Sequence, residues 1–270
     1  MKVVVLVKHV PDEAADRPSG TEASGTKVFA PDLTIDRGAL SCRLGALDEN
    51  AVEQAMRIAR RRLDVQIIAV TMGPAGAERS LARALALGAD EGVHVRDDAL
   101  HGSDARATAS VLATVVARLG FDLVLCGAAS SDSGMSVVPA MVAEHLGVPV
   151  ACDADAVWVG EDEVLVRRDA DGFVEEVAAP LPAVVSVTER ADEPRYPSFR
   201  AIVEARHKVL RTWSLADLRI RPETVGANAS ATVVRSVTPH PGERPAVLIE
   251  GASDVAAARL ARYLTEHQLI

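Results

Sequence analysis

Residues 3–7 read Val-Val-Val-Leu-Val, an apolar run with no polar alternation. A strand without a polar face must be covered on both sides, which places it inside a parallel sheet with helices above and below. The segments that follow keep this grammar. LDENAVEQAMRIARRRL sets Val52, Ala55, Met56, Ala59 and Leu63 on one helical stripe. Asp48 and Glu49 stand at its start and Arg60–Arg62 at its end, where the helix dipole favours each sign. QIIAV is a strand running into a Gly-Pro turn. AERSLARALALGAD is a helix with Ala77, Leu81, Ala84 and Leu85 on one face and Gly88 as its stop. GVHV is a short strand, and SDARATASVLATVVARLG a helix with Ser103 as its N-cap. FDLVLCG is another buried strand and GMSVVPAMVAEHLG another helix. The order β-α-β-α-β-α-β-α is that of an α/β fold with a doubly wound, mainly parallel sheet.

After Pro149 the grammar changes. AVWVG, EVLVRRD, GFVEEVA and AVVSVTE are strands joined by short polar links. They read as antiparallel hairpins that extend or cap the sheet. Residues 12–45 are rich in Gly, Pro, Ser and Asp, a long excursion with a small hairpin around TKVFAPDLTID. From Val209 onward core residues thin out. TPHPGERP reads as a linker and DVAAARLARYLTEHQ as a terminal helix. The expected division is an α/β domain over 1–208 and a C-terminal arm over 209–270.

Composition narrows the function classes. Aromatics are only 3% of the 270 residues, so the core must be built from Val, Ala and Leu. A formal net charge of −9 argues against a nucleic-acid binder, which needs a basic field. Three scattered cysteines without a CxxC fit a reducing compartment, and a cytoplasmic location is expected. The opening apolar run is too short for a signal peptide, and no stretch approaches the ~20 apolar residues of a membrane span. The seven histidines form no HxxxH or HExxH, so no metal site is expected.

Ligands of open α/β sheets sit at the carboxyl ends of the strands. Three loops qualify: Lys8 and His9 after the first strand, Thr71–Gly73 after QIIAV, and Gly127–Ser136 after DLVLC. The last is built of small residues and runs straight into a helix N-terminus, an anion site that needs no lysine. Its plain alternative is a β–α turn with a Ser/Asp cap. GxGxxG, the P-loop and GxSxG are all absent. A fourth stretch, ADEPRYPSFRAIVEARHK, brackets Arg195 and Tyr196 with prolines and adds Phe199. It is either a rigid turn that packs Tyr196 on the core or a pre-organised docking loop.

These segments together resemble the β subunit of electron transfer flavoproteins, the small or FixA-type subunit. The likeness rests on VKHVPD, DENAVEQA, VTMGPAGAERSLARALALGAD, DLVLCGAASSDSG with VPAMVAEHLG, and LPAVVSVTERADEPRYPSFRAI. It runs from the first strand to about Lys208, with a looser fit beyond. The resemblance implies an adenine-nucleotide-hydrolase-like α/β fold and an electron carrier rather than an enzyme. It implies pairing with an α subunit, FAD held chiefly by that partner, and a structural AMP in this chain. Electrons would come from acyl-CoA or other dehydrogenases, as in fatty acid oxidation, and leave to a quinone oxidoreductase. By position, adenine and ribose contacts are implied at Val7, Lys8, His9, Thr71, Met72 and Gly73. The phosphate loop falls on Gly127 and on Asp132, Ser133, Gly134, Met135, Ser136, Val137 and Val138. The hairpin acid facing the flavin domain falls on Asp169. Dehydrogenase docking falls on Arg195, Tyr196, Phe199 and Ile202, with Phe199 as the anchoring side chain.

The chain departs from the family pattern in places. Gly45, Ala46 and Leu47 stand where many members have Asn-Pro-Phe, and Gly134 and Met135 where many have Asp-Thr. The threonine hydroxyl is thereby lost from the phosphate loop, while backbone amides remain. Phe199 replaces a common Leu. A roomier loop suits a second reading, in which this chain holds FAD in place of AMP within an electron-bifurcating flavoprotein. A third reading is a stress-type ATP-binding protein on the same fold; the HVPDEA after strand one, in place of an SGGxDS-type loop, counts against ATP-cleaving relatives of that fold.

Overall fold

The computed structural model describes residues 1–12, 28–238 and 247–270. The first strand, β1 (Lys2–Leu6), is the middle strand of the main sheet. Val3, Val5 and Val7 enter one core and Val4 and Leu6 the other, so each face of the run is buried under different elements. β2 (His9–Pro11) enters the excursion and β3 (Cys42–Leu44) closes it, an antiparallel pair. Within the TKVFAPDLTID stretch, Phe29 and Ile35 form a single antiparallel bridge, while Thr26 and Lys27 lie outside the described residues.

Helix α1 (Ala46–Arg61) buries Ala51, Val52, Ala55 and Ile58 in the first core. It ends sooner than its periodicity suggests. Arg62 turns extended (φ −128°, ψ 138°), and Leu63 is 92% exposed instead of completing the stripe. β4 (Gln66–Met72), α2 (Glu78–Leu87), β5 (Glu91–Val95) and α3 (Ala105–Leu119) continue the alternation. The N-cap of α3 is Asp104, whose carboxylate accepts from Ala107 N at 2.9 Å. Ser103, the residue expected there, instead accepts from Gly226 N through its hydroxyl at 2.9 Å. β6 (Leu123–Gly127) and α4 (Val138–Leu146) complete the series.

Beyond Pro149 come β7 (Val150–Ala154), β8 (Ala156–Val159), β9 (Glu163–Ala170), β10 (Phe173–Pro180) and β11 (Ala183–Val187). β8, β9 and β10 form the expected antiparallel sheet, with β9 in the middle. The reading of AVVSV as another hairpin strand is corrected. β11 lies inside the main sheet, parallel to β6 on one side and β7 on the other, and all five of its residues are buried. Helix α5 (Phe199–Ala205) and strand β12 (Val209–Trp213) follow, and β12 is the parallel edge strand beside β5.

The main sheet has seven strands in the order β12-β5-β4-β1-β6-β11-β7, every pair parallel. From β1 the chain first winds one way through β4 and β5, then crosses to β6 on the other side. The crevice between β1 and β6 is the topological switch point, where such sheets bind ligands. One core lies under α1, α2 and the antiparallel sheet, the other under α3 and α4. Each fully buried Val or Leu in them contributes ~1.5–3 kcal/mol of transfer free energy. The described residues up to 236 form one compact unit. Residues 237–238 and 247–270 belong to a second. That unit contains the terminal helix Ser253–Glu266, on which Tyr263 and His267 stack at 4.1 Å. Of the expected linker TPHPGERP, only Thr238 is among the described residues.

Candidate functional site

At the switch point the carboxyl end of β1 delivers Lys8 and that of β6 delivers the loop 127–137. Lys8 Nζ donates to Asp132 Oδ1 (2.7 Å), Ser130 Oγ (3.1 Å) and Ser133 Oγ (3.4 Å). The Arg37 guanidinium bonds the other Asp132 oxygen and also donates through Nε to the His9 carbonyl at 3.2 Å. Burial pushes the Asp132 carboxyl up, but the Lys8 ammonium, with Ser130 and Arg37 adding to it, outweighs burial and holds it below the usual carboxylate range. Arg37 lies in the excursion between β2 and β3, and no local motif marks it in the sequence.

The rest of the loop is shaped for an anion. Gly134 (φ +58°) and Ser136 (φ +54°) both take left-handed backbone, and space around the Gly134 α-carbon is open. Concave runs of amides are built from such alternation. Gly134 N donates to Ser130 O at 2.8 Å. Among the described residues, no protein acceptor takes the amides of Met135, Ser136, Val137 or Val138. These amides sit at the start of α4, where the helix dipole adds positive potential and Pro139 spares one donor. Met135 is half-exposed at the rim.

The floor of this site is a residue whose role the sequence pattern did not reveal. Asp48, in the first turn of α1, is buried and bridges the two strand ends. Its Oδ2 accepts from Lys8 N at 2.8 Å and its Oδ1 from Gly127 N at 3.1 Å. Burial pushes its carboxyl up to about 7, and the two amides pull it back only in part. The approach requires glycine: a Cβ on Gly127 would stand 2.7 Å from Asp48 Oδ1 and 2.7 Å from Leu47 Cβ. Asp48 therefore does more than favour a helix dipole.

The remaining expected contacts face inward. Val7 is buried and its amide donates to Val70 O. His9 is buried, with Nδ1 2.8 Å from Ser80 Oγ. Burial first, then Arg37, Arg79 and His94, lowers its pKa below the ordinary histidine value. Thr71 is sealed in the sheet, and among the described residues neither its hydroxyl nor Nδ1 of its register partner His94 has a hydrogen-bond partner. The His94 Nε2 nitrogen bonds Gly73 O at 2.9 Å. Met72 packs toward the opposite core.

These amides and Lys8 make a candidate anion site at the switch point of a seven-stranded parallel sheet. Residues 32–218 match the electron transfer flavoprotein domain. Over 99% of both chains, the sequence is 34% identical to the electron transfer flavoprotein subunit beta of Mycobacterium tuberculosis strain H37Rv. The chain belongs to the electron transfer flavoprotein β-subunit family. Subunit beta of Methylophilus methylotrophus is 33% identical over 98% of both chains. The caffeyl-CoA reductase-Etf complex subunit CarD of Acetobacterium woodii is 29% identical over 99% of both.

In this β-subunit chain the proline-bracketed loop turns some side chains inward and others out. Arg195 is an anchor: it grips Glu53 of α1 through Nε and Nη2, both at 2.7 Å. Tyr196 and Phe199 point out, 89% and 83% exposed, and Ile202 and Val203 form a half-exposed apolar continuation. Arg83 lies 6.0 Å from the Tyr196 ring centroid. Ser198 caps α5 by accepting from Ala201 N at 3.2 Å, and α5 rests on α2. Of the basic residues that follow, Lys208 is engaged internally. Its Nζ caps the end of α2 at Leu85 O (3.0 Å) and Ala89 O (2.7 Å). Asp169, on β9 opposite Val174, is half-exposed and pairs with Arg190. Phe173 and Val174 beside it are exposed. Among the described residues no cluster of His, Cys, Asp and Glu is arranged to hold a metal, and no helix is long and apolar enough to cross a membrane.

Proposed function

We propose that this chain is the β subunit of a heterodimeric electron transfer flavoprotein, with AMP in the switch-point loop as a structural ligand. FAD is held mainly by the α partner and supplies the redox chemistry when bound. The residues of this chain bind and position. Acyl-CoA or other dehydrogenases deliver electrons, and a quinone oxidoreductase or similar acceptor removes them. The observation that carries the reading is the row of unengaged amides from Met135 to Val138 beside Lys8. It stands in a chain that aligns end to end with β subunits. A single phosphate suits those amides and the Lys8 ammonium. The family's loop threonine is missing, so the backbone would carry its share of the contact.

Phe199, Tyr196 and Ile202 form the docking patch for the dehydrogenase, because large side chains held out from a stiff loop bury much area at little entropic cost. Asp169 faces the flavin-bearing domain of the partner. Of the stretch from 209 onward, β12 belongs to the main sheet, and it is the terminal helix that packs on the α subunit, a reading supported by its half-exposed Val255 and Leu260. The proposed location is the cytoplasm.

Co-expression with the α chain, purification, denaturation and quantification of released nucleotides test the reading. One FAD and one AMP per complex support it. Two FAD and no AMP favour the bifurcating alternative, which the open space around Gly134 also suits. Failure to capture an α chain, with ATP hydrolysis by a homodimer, overturns both.

A further inference from the structure

Helix α1 buries polar side chains that a helix packed on a sheet ordinarily lacks. Asn50, Glu53 and Gln54 are each more than nine-tenths buried. A buried carboxylate is costly unless paired, and a well-packed apolar residue would stabilise the helix at least as well. All three reach across the molecule to one short segment. Asn50 Nδ2 donates to Asp192 O at 2.6 Å. Gln54 Nε2 donates to Ala191 O and to Asp192 Oδ2, the latter at 2.8 Å. Glu53 accepts both arms of Arg195, and Arg60 adds a bond at 2.9 Å. Asp192 holds a left-handed backbone (φ +100°) that a non-glycine residue adopts only when its surroundings fix it.

Three residues separate Arg195 from Phe199, and one of them is Pro197, whose ring locks its φ. Fixing the Arg195 guanidinium therefore fixes the origin of α5. We propose that Glu53 is a positioning residue for partner docking: its forked bond to Arg195, with Asn50 and Gln54 holding the preceding residues, aims Phe199 outward before any partner arrives. The inference rests on the docking role assigned to Phe199. Pre-aiming removes the cost of ordering a loop on binding, so its loss appears in affinity rather than in the transfer step. The bidentate fork matters beyond its charge, since a lone hydrogen bond fixes distance but not orientation.

The test uses the intact complex and the variants Glu53→Gln, Arg195→Gln and Phe199→Ala. Hydrogen exchange over residues 193–206 is read without a dehydrogenase. The KM and kcat for reduction by a donor acyl-CoA dehydrogenase are read separately. Glu53→Gln is expected to speed exchange in that segment and to raise KM, each about tenfold, while kcat moves by less than about twofold. Bound nucleotide stays at the wild-type level. Arg195→Gln, at a surface position, gives the same pattern and decides the matter if Glu53→Gln loosens the whole chain. Wild-type exchange and KM in both variants, with KM raised in Phe199→Ala, overturn the inference. An unchanged KM in Phe199→Ala overturns the docking role itself, and with it this inference; exchange then reports loop anchoring alone.

Discussion

Replacing Asp48 with asparagine should change how stability depends on pH. In an unfolded chain this carboxyl ionises near 3.8; in the fold, burial pushes it up to about 7. Between those values the folded protein keeps a proton that the unfolded chain has released. Stability from this group is therefore fully present at low pH, falls as pH rises through the window and levels off above about 7. At about 1.4 kcal/mol per pH unit, the loss is ~4 kcal/mol. The asparagine would not titrate. It would turn one amide NH₂ toward a backbone N–H, costing ~1–3 kcal/mol at every pH. Urea unfolding midpoints from about pH 4 to 8 would show the variant weaker than wild type at the acid end and equal or stronger at the alkaline end. The other carboxylates are common to both chains and cancel in the difference. Parallel stability curves would refute the reasoning, because they would mean that Asp48 is ionised in the fold and satisfied by the Lys8 and Gly127 amides.

Three further outcomes follow from the same geometry. Lys8→Met should weaken AMP binding to nucleotide-stripped complex by about tenfold or more in titration calorimetry; unchanged affinity would confine Lys8 to its contact with Asp132. Gly127→Ala should destabilise the chain by ~1–3 kcal/mol, because the added Cβ meets Asp48 and Leu47 and displaces the first turn of α1. Leu81→Ala, in the first core beneath α2, should cost ~2–5 kcal/mol by urea unfolding, and a loss below about 1 kcal/mol would show that the site collapses around the gap.

The parallel sheet was legible because Val3–Val7 and the helical stripes of α1 to α4 declare their periods locally. Strand partnership does not. AVVSV has the same local pattern whether it pairs in a hairpin or slots between β6 and β7, and the choice is made by residues far along the chain. The thinning past 208 has a similar cause. β12 is an edge strand, so two of its five residues are only half-buried and the other three exposed. In the site, Lys8 and the small-residue loop could be found because ligand loops sit at strand ends. Asp48, Glu53 and Arg37 could not. On a helix or in a coil they look like solvated charges, and their partners lie 40 to 142 residues away.

The division between inward anchors and outward tips in the proline-bracketed loop also bears on how a carrier using the proposed docking patch could change clients over generations. The anchors face inward, so their replacement is penalised in every context. The side chains of Tyr196, Phe199 and Ile202 face water, where substitutions usually alter folding stability by no more than ~0.5 kcal/mol. On the proposed docking role, a lineage can therefore exchange one client dehydrogenase for another by single mutations at the tip, without passing through an unfolded intermediate genotype. On that reading folding stability constrains the mount and leaves the contact surface free to change.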